Sequence, residues 1–456
     1  MFDTASKLLR INLALFGTHF LSSPGEPIGR LPAMGWSSWN VYRCDINETL
    51  FVEVGNLMVS LGLKDLGYSY VNIDDCWSDK DYQRDDITGK IRPDYSKFPK
   101  GIKHTADEIH KLGLRFGIYS DSGTLTCAGY AGSLGNERLD AETFAEWGVD
   151  YLKYDNCFVP QEWQDRYRWS PDDWVADPTT VDDAETEVIS APDGYDWRSS
   201  KTFTRYKRMG DALLATNRPI QFSQCAWGNA HIDQWGNETG HSWRMWGDIG
   251  PRWEEFQNGD WGIMPILNHA SFFINGTDFW GHGDWDMLQV GNGELTFQES
   301  RTHFAMWAAL KSPLIIGTPL HNIKPEILGI LSNRELIDFN QDPLVGPAAK
   351  PYKWGVNPDF TWNRTHPAEY WSGLSSKGVH VFVMNTLNTV QTKIIDFAEV
   401  PELDPNVAYI LIDSWTGKKL GKFKGKFKTT VDAHDTIAIR LVKASRYDYS
   451  RLQTTF

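Results

Sequence analysis

Two aspartates in this 456-residue chain each follow a short apolar and aromatic segment that is typical of a β-strand. Asp155 ends the segment 149–155 (VDYLKYD), and Asp248 ends the segment 243–248 (WRMWGD). Each carboxylate therefore follows the C-terminal end of a predicted strand, which in a β/α barrel is the catalytic face. Two carboxylates on one such face are sufficient to cleave a glycosidic bond, one as nucleophile or base and one as acid.

Other predicted strands end in polar or aromatic residues as well, and this convergence is harder to dismiss than any one residue. The groups concerned are Trp36, Trp39 and Asn40, then Asp74, Asp75 and Trp77, then Tyr119 and Asp121, then Lys153, and finally Arg244. Lys153 and Asp155 are two residues apart, so they lie on one side of their strand, where the ammonium would favour the ionised carboxylate. The alternative is a structural ion pair. A lone acid after a strand is often a helix N-cap, an interpretation that we accept for Asp121 and for either Asp74 or Asp75.

The segments that must position these groups alternate between strand-like and helix-like patterns from about residue 30 to residue 345. The sequence predicts eight strands, at Ala33–Trp36, Tyr68–Ile73, Arg115–Ser120, Tyr151–Tyr154, Pro219–Ser223, Trp243–Gly247, Thr277–Trp280 and Pro313–Ile316. Helical patterns lie between most of them. Eight alternating units predict an α/β fold, a (β/α)8 TIM barrel. An open, doubly wound sheet is the alternative.

After Pro343 the pattern changes to short β-type segments separated by turn residues, with no long helix between them. These segments are 378–384, 393–397, 408–412, 427–431 and 436–441. Such spacing predicts a C-terminal antiparallel β-sandwich domain. We place the catalytic barrel at residues 30–345 and the β domain at residues 346–456.

Residues 158–200 fit neither domain, because they are rich in Asp, Glu, Pro and Trp and have no clean period. A loop of this length in a compact domain is usually functional or mobile. The insert follows Asp155 and should emerge on the catalytic face, so our hypothesis is that it forms a wall or lid of the substrate pocket. The alternatives are an oligomer contact and a disordered insert.

The cellular location has to be inferred from the N-terminal segment 1–29, the cysteines and the glycosylation sequons. Lys7 and Arg10 precede a mostly apolar run at 11–21, which resembles a weak signal peptide, although Asp3 and the interruption at 17–19 depart from that pattern. The sequons are Asn47, Asn237, Asn275 and Asn363. Together with five cysteines they favour a secreted glycoprotein. We expect no membrane partner, since no other segment approaches the ~20 apolar residues of a membrane span.

The net charge and the composition restrict the classes of molecule that this protein is expected to bind. A formal net charge of −14 argues against nucleic acid, whose phosphates require a basic face. The 21 tryptophans suggest flat stacking surfaces of the kind that sugar-binding sites need, and a Trp-rich core is the alternative. The sequence leaves an oligomer possible.

Several motifs resemble those of the α-galactosidase and α-N-acetylgalactosaminidase family, glycoside hydrolase family 27. They are LPAMGWSSWN at 31–40, DDCW at 74–77, KYDNC at 153–157, WR with GDI at 243–249, DML with GN at 286–292, and NQDP at 340–343. The resemblance implies that Asp155 is the nucleophile and Asp248 the general acid/base of a retaining reaction. It further implies that Asp248 has a raised pKa and that neither a metal nor a cofactor is needed.

The resemblance also implies a sugar-binding set, namely Trp39, Asp74, Asp75, Tyr119, Lys153, Cys225, Trp227, Arg244, Asp286 and Met287. Asp74 and Asp75 would bind the axial 4-hydroxyl and the 6-hydroxyl and so select galactose over glucose. The family pattern further implies disulfides Cys44–Cys76 and Cys127–Cys157, which leaves Cys225 free.

Two segments depart from the family pattern. Ala226 stands where a polar residue is common between the cysteine and tryptophan that contact the sugar 2-position, and small residues in this loop admit an N-acetyl group. The segment GHGDW at 281–285 replaces the commoner lead into Asp286, and we expect His282 to face solvent in a loop.

We therefore expect a retaining α-galactosidase that acts on terminal α-galactosyl residues of oligosaccharides, galactomannans or glycoconjugates, because Trp227 is retained. An α-N-acetylgalactosaminidase is the alternative. An α-glucan-cleaving enzyme would not need both Asp74 and Asp75. The presence of both catalytic carboxylates argues against an inactive galactose-binding protein.

Overall fold

The computed structural model describes residues 28–169, 189–257, 259–274 and 276–444. Most of the predicted N-terminal segment, the middle of the 158–200 insert and the sequon at Asn275 lie outside the described residues. So do the last twelve residues of the predicted β domain, 445–456.

The first half of the fold is built from ten strands, eight of which form one parallel sheet in the order β10-β1-β2-β3-β4-β5-β6-β9. In chain order the ten strands are β1 Met34–Ser37, β2 Tyr70–Asn72, β3 Arg115–Asp121, β4 Tyr151–Asp155, β5 Gln221–Gln224, β6 Ser242–Arg244, β7 Phe256–Gln257, β8 Asp260–Trp261, β9 His282–Asp284 and β10 Leu314–Ile316. The seam between β9 and β10 is bridged at Leu288 and Ile316. This parallel ring confirms the predicted β/α barrel. β7 and β8 form a separate antiparallel ribbon.

Ten α-helices lie on the connections among the described residues. They are α1 Trp39–Tyr42, α2 Glu48–Ser60, α3 Ile102–Lys111, α4 Glu137–Glu146, α5 Lys201–Ala215, α6 Gly236–Thr239, α7 Ile263–Ala270, α8 Phe297–Ala309, α9 Pro325–Leu331 and α10 Arg334–Asn340. Short 3-10 turns occur at Lys64–Leu66, Gln161–Trp163, Trp197–Ser199 and Asn229–Gln234. Local signals fix several helix starts. Thr296 and Glu299 form a capping box at α8, and the Asn47 side chain caps α2.

Strands β1, β2, β5 and β6 are buried along their whole length, because helices cover the outside of the barrel and side chains fill the inside. The barrel strands nevertheless end in polar residues. The last residues of β2, β3, β4, β6 and β9 are Asn72, Asp121, Asp155, Arg244 and Asp284. The catalytic face therefore collects buried polar groups at one level of the barrel.

The seventh barrel strand lies at β9 and not at the predicted Thr277–Trp280, so that prediction was wrong. Residues 277–281 form a turn in which Asp278 bridges Gly281, and Trp280 has a positive φ of 70°. Pairing with β6 selects His282–Asp284, although two glycines flank or interrupt that segment. His282 is consequently only 1% exposed, which contradicts the predicted solvent-facing loop, and burial lowers its pKa to about 3.

The second half of the fold is an antiparallel β domain, as predicted. Its strands are β11 Lys350–Lys353, β12 Tyr370–Ser375, β13 Gly378–Met384, β14 Gln391–Asp396, β15 Ala408–Asp413, β16 Lys419–Lys424, β17 Lys426–Val431 and β18 Thr436–Lys443. Six of them form a sheet in the order β11-β12-β13-β18-β15-β16, and β14 pairs with β17. Apolar side chains of both sheets, such as Val381, Ile395 and Leu411, form a common core.

Many of the tryptophans are core residues and not a sugar-stacking surface. Among those that are almost completely buried are Trp36, Trp235, Trp243, Trp307, Trp354 and Trp371. For these residues the core interpretation holds, and the functional interpretation is left to the few partly exposed ones, including Trp39 and Trp227.

Candidate active site

Asp155 lies at the C-terminal end of β4 and is 6% exposed. Its Oδ2 accepts a hydrogen bond of 2.9 Å from the Tyr119 hydroxyl, and its Oδ1 accepts one of 3.0 Å from the Asn156 backbone. β3 and β4 are neighbours in register, which places Tyr119 beside the strand that carries Asp155. The carboxylate is therefore held in one orientation by groups from two adjacent strands.

Lys153 does not bond to Asp155, the partner suggested by its spacing along the strand. Its Nζ donates a 2.8 Å hydrogen bond to Asp74 Oδ2, across to the end of β2. Asp74 Oδ1 accepts from the Asp75 backbone, and Asp75 accepts from the Cys76 and Ala128 backbones. The acidic pair is thus buried and fixed by backbone donors, and neither residue serves as the helix N-cap considered for it.

Arg244 connects the second candidate catalytic residue to the sugar-binding set. Its Nη2 lies 2.9 Å from Asp248 Oδ1 and 3.1 Å from Asp286 Oδ2, while its Nη1 donates to Cys225 Sγ at 3.6 Å. The Arg244 side chain is 4% exposed, whereas that of Asp248 is 50% exposed. Asp248 therefore lies at the mouth of the site, where a leaving group and water can reach it.

The ionisation order of the two carboxylates is the reverse of the expected one. Burial raises the pKa of Asp155 to about 6, with Lys153 opposing the shift and the Asp248 charge adding to it. Although half of its side chain is exposed, Asp248 also loses solvation, which by itself would raise its pKa. The Arg244 guanidinium and the Lys153 ammonium outweigh this loss and hold that pKa below its usual range. The physical reason is that the nearest cation, Arg244, bonds to Asp248 and not to Asp155.

Five of the predicted sugar-binding residues line one cavity inside the barrel. Asp74, Lys153, Arg244, Asp286 and Met287 line it directly. Trp39 packs against the small apolar cluster that contains Met287 and Ile315. Trp227 follows Cys225 on the loop after β5 and is partly buried, with a positive φ of 52°.

Two acids near this site have roles that the sequence did not predict. Asp284 lines the cavity, its Oδ1 accepts from the Asp286 backbone at 2.8 Å, and burial raises its pKa to about 6. Its signal was hidden by the misplaced seventh strand. Asp121 is not the predicted helix N-cap, because its carboxylate accepts from the backbones of Gly123 and Cys157 and so joins the loops after β3 and β4.

Both predicted disulfides are present and both tie loops of the catalytic face. Cys44–Cys76 joins the loops after β1 and β2, and Cys127–Cys157 joins the loops after β3 and β4, while Cys225 is free and buried. Asp121 and Asp155 lie near Cys127 and Cys157 in a cluster with metal-binding spacing. The disulfide removes both thiolates, so this cluster does not make a case for a metal site.

Comparison with known proteins identifies the same chemistry. A family model described as alpha galactosidase A matches residues 31–172 and 167–342, and one described as the alpha galactosidase C-terminal beta sandwich domain matches residues 365–441. A probable alpha-galactosidase B of Penicillium simplicissimum is 52% identical over 422 residues, which cover 92% of this chain and 94% of the relative. Its counterpart from Aspergillus oryzae is 48% identical over 441 residues, covering 94% and 97% of the two chains.

Solved structures agree with the sequence relatives. Alpha-galactosidase I of Mortierella vinacea has a TM-score of 0.78 at 32% identity, with 91% of this chain and 98% of that chain covered. The alpha-galactosidase of Saccharomyces cerevisiae with raffinose has a TM-score of 0.78 at 29% identity and covers the same shares. With its barrel, its β-sandwich and its acidic site, this chain belongs to the α-galactosidase family, glycoside hydrolase family 27.

Proposed function

We propose that this protein is a retaining α-galactosidase that removes terminal α-galactosyl residues from oligosaccharides, galactomannans or glycoconjugates. In this proposal Asp155 is the nucleophile and Asp248 the general acid/base. The observation that carries the proposal is that Asp155, oriented by Tyr119, and Asp248, bonded to Arg244, belong to one cluster of interacting charged groups. A retaining reaction needs two carboxyl groups roughly 5–5.5 Å apart.

In the first step the Asp155 carboxylate attacks the anomeric carbon. The bond from that carbon to the leaving oxygen breaks, and the oxygen takes the proton of Asp248. In the second step Asp248 removes a proton from water, whose oxygen displaces Asp155 and restores the α configuration. The Tyr119 hydroxyl holds the attacking carboxylate, and the exposure of Asp248 gives water a route to the intermediate.

In this proposal the sugar is contacted by two groups of side chains. Those in the middle of the site are Asp74, Asp75, Lys153, Arg244, Asp286 and Met287, and those at the edges of the site are Trp39, Tyr119, Cys225 and Trp227. Buried carboxylates that are already oriented by backbone donors bind hydroxyl groups at a small entropic cost. The galactose preference is supported by both aspartates and by the relatives, whose names are those of α-galactosidases. The structure of the yeast alpha-galactosidase with raffinose, a galactose-containing oligosaccharide, supports the same substrate class.

The substrate is tested by parallel assays on nitrophenyl α-galactoside and on its N-acetylgalactosamine analogue. We expect kcat/KM to favour the galactoside by at least ~100-fold, because the loop after β5 retains Cys225 and Trp227, which the family resemblance places at a 2-hydroxyl. A preference for the acetamido substrate would overturn the galactose assignment and favour the α-N-acetylgalactosaminidase. No turnover of either would instead favour a binding protein.

The two catalytic roles are tested by azide rescue. We expect Asp155→Ala and Asp248→Ala each to lower kcat on an unactivated galactoside by more than ~10³-fold. With an activated aryl galactoside, azide should restore turnover of both but give opposite products. The Asp248 variant keeps the covalent intermediate and should give the α-galactosyl azide, whereas azide replaces the missing carboxylate in the Asp155 variant and gives the β anomer. Proton NMR of the anomeric signal distinguishes them, and exchanged anomers would mean exchanged roles.

The pH dependence follows from the reversed ionisation order. The productive state needs Asp155 ionised and Asp248 protonated, so the pair must hold one proton. That proton is lost as the pH rises above about 6, and a second one binds below the lowered pKa of Asp248. We therefore expect kcat/KM to peak in the acidic range and to fall above about pH 6, measured across pH 3–8 on a galactoside with an unactivated leaving group.

A matched variant separates the two ionisations. In Asp248→Asn the Asp155 pKa should fall, because the neighbouring negative charge that raises it is gone. With an activated aryl galactoside, whose leaving group needs no acid, the rate of the first turnover should then rise with pH and level off below pH 6. A falling limb that survives in this variant would contradict the assignment of that limb to the pair.

We further propose that the protein is secreted and glycosylated. Two disulfides and exposed asparagines in the sequons at Asn47 and Asn237 support the proposal. None of the helices among the described residues combines the length and the apolar composition needed to cross a membrane. Expression of the full chain in a fungal host should yield active enzyme in the medium, with glycans at Asn47 and Asn237 by peptide mass spectrometry. Unmodified enzyme that remains inside the cells would contradict this.

A further inference from the structure

The loop after β5 has an unusual backbone. Between positions 227 and 231, Trp227, Gly228, Ala230 and His231 all have positive φ, at 52°, 80°, 54° and 48°. Glycine adopts this region easily, whereas residues with a Cβ do so at a cost. Such a conformation persists only where the surroundings fix it. Since this loop carries Cys225 and Trp227, whatever fixes it also fixes the contact surface offered to the sugar 2-position.

The barrel fixes the inner side of the loop. The Gly228 backbone donates to Arg244 O at 3.0 Å, and the indole of Trp235 donates to Ala230 O at 2.8 Å. A Cβ at Gly228 would lie 2.4 Å from Met245 O, so only glycine allows this close approach to β6. At the outer end of the loop, His231 Nδ1 lies 3.2 Å from Asp233 Oδ1, and the His231 ring is covered from outside the barrel.

The insert holds that outer end. The ring centroid of Trp169 lies 3.7 Å from that of His231, and the centroid of Trp197 lies 5.5 Å from it. Trp169 and Trp197 belong to the two ends of the insert, which are joined where the Arg168 backbone donates to Ile189 O at 3.2 Å. Tyr195 packs edge-on against Trp197. We call Trp169, Trp197 and Tyr195 the insert clamp.

Resting on the function proposed above, we infer that the insert clamp determines specificity for the 2-substituent of the sugar by holding the strained loop 225–231 against the barrel. Trp169 is the positioning residue with the closest contact. It touches no reacting group, and acts through His231 on the loop that carries Cys225 and Trp227. Cys225 is in turn bonded to Arg244, so this loop is continuous with the catalytic cluster.

The test compares the wild type and Trp169→Ala on three nitrophenyl α-glycosides, with a 2-hydroxyl, a 2-deoxy and a 2-acetamido group. Loss of the ring should let the loop relax from its positive-φ conformation. We expect kcat/KM for the galactoside to fall about tenfold, mostly through a higher KM. The kcat/KM values of the 2-deoxy and 2-acetamido substrates should fall less, so that the ratio in favour of the galactoside decreases by up to about tenfold. Trp169→Phe keeps a ring over His231 and should restore most of the preference.

Trp163→Ala is the matched control, because Trp163 belongs to the same insert but lies over Lys201 and Arg208, at 5.8 and 5.2 Å. Its substrate preference should equal that of the wild type, and thermal unfolding should show that all variants are folded. Equal losses on all three substrates in Trp169→Ala, or no change, would overturn the inference. A wild type that turns over none of the three would overturn the proposed function itself, and with it this inference, before any variant is compared.

Discussion

The site depends on one constraint, which is that several carboxylates are buried together and share two cations, Lys153 and Arg244. Asp74, Asp155 and Asp286 lie within the field of Lys153 and Arg244. A buried carboxylate without a partner is costly, so each must share a cation, accept backbone hydrogen bonds or hold a proton. Asp75 and Asp121 accept backbone hydrogen bonds, and Asp74 and Asp248 bond to the cations. Asp155 bonds instead to the Tyr119 hydroxyl, and burial raises its pKa to about 6, as it does for Asp284.

This distribution gives the site a proton that can move. With Arg244 bound to Asp248, the site favours the proton on Asp155. The proposed reaction needs it on Asp248, so a sugar that engages Arg244 or Lys153 would change the order by changing the partners of the two carboxylates. Asp248 is half-exposed whereas Asp155 is buried, so a sugar can reach the contact between Asp248 and Arg244 more easily than it can reach the contacts of Asp155.

Sequence patterns predicted the barrel and its strand-end carboxylates because both depend on local signals, namely apolar segments followed by polar residues. They failed where pairing across the fold decides the outcome. Lys153 is two residues from Asp155 but bonds to Asp74, which is 79 residues away. The segment His282–Asp284 lacks strand composition, yet its register with β6 makes it a strand. Ionisation likewise depends on distances between different strands, which residue spacing along one strand does not contain.

The strand ends and the loop after β5 position different groups of the site, and their backbone conformations differ accordingly. Sheet hydrogen bonds fix the end of β4, where Tyr119 and Asn156 orient Asp155. Asp248 lies four residues beyond the end of β6 and is held by Arg244. The loop that carries Cys225 and Trp227 is not part of the sheet and adopts conformations that residues with a Cβ avoid. It therefore needs an external contact, and the aromatic residues at both ends of the insert provide one. A change in the insert can then alter the choice of sugar while the geometry of Asp155 and Asp248 stays unchanged.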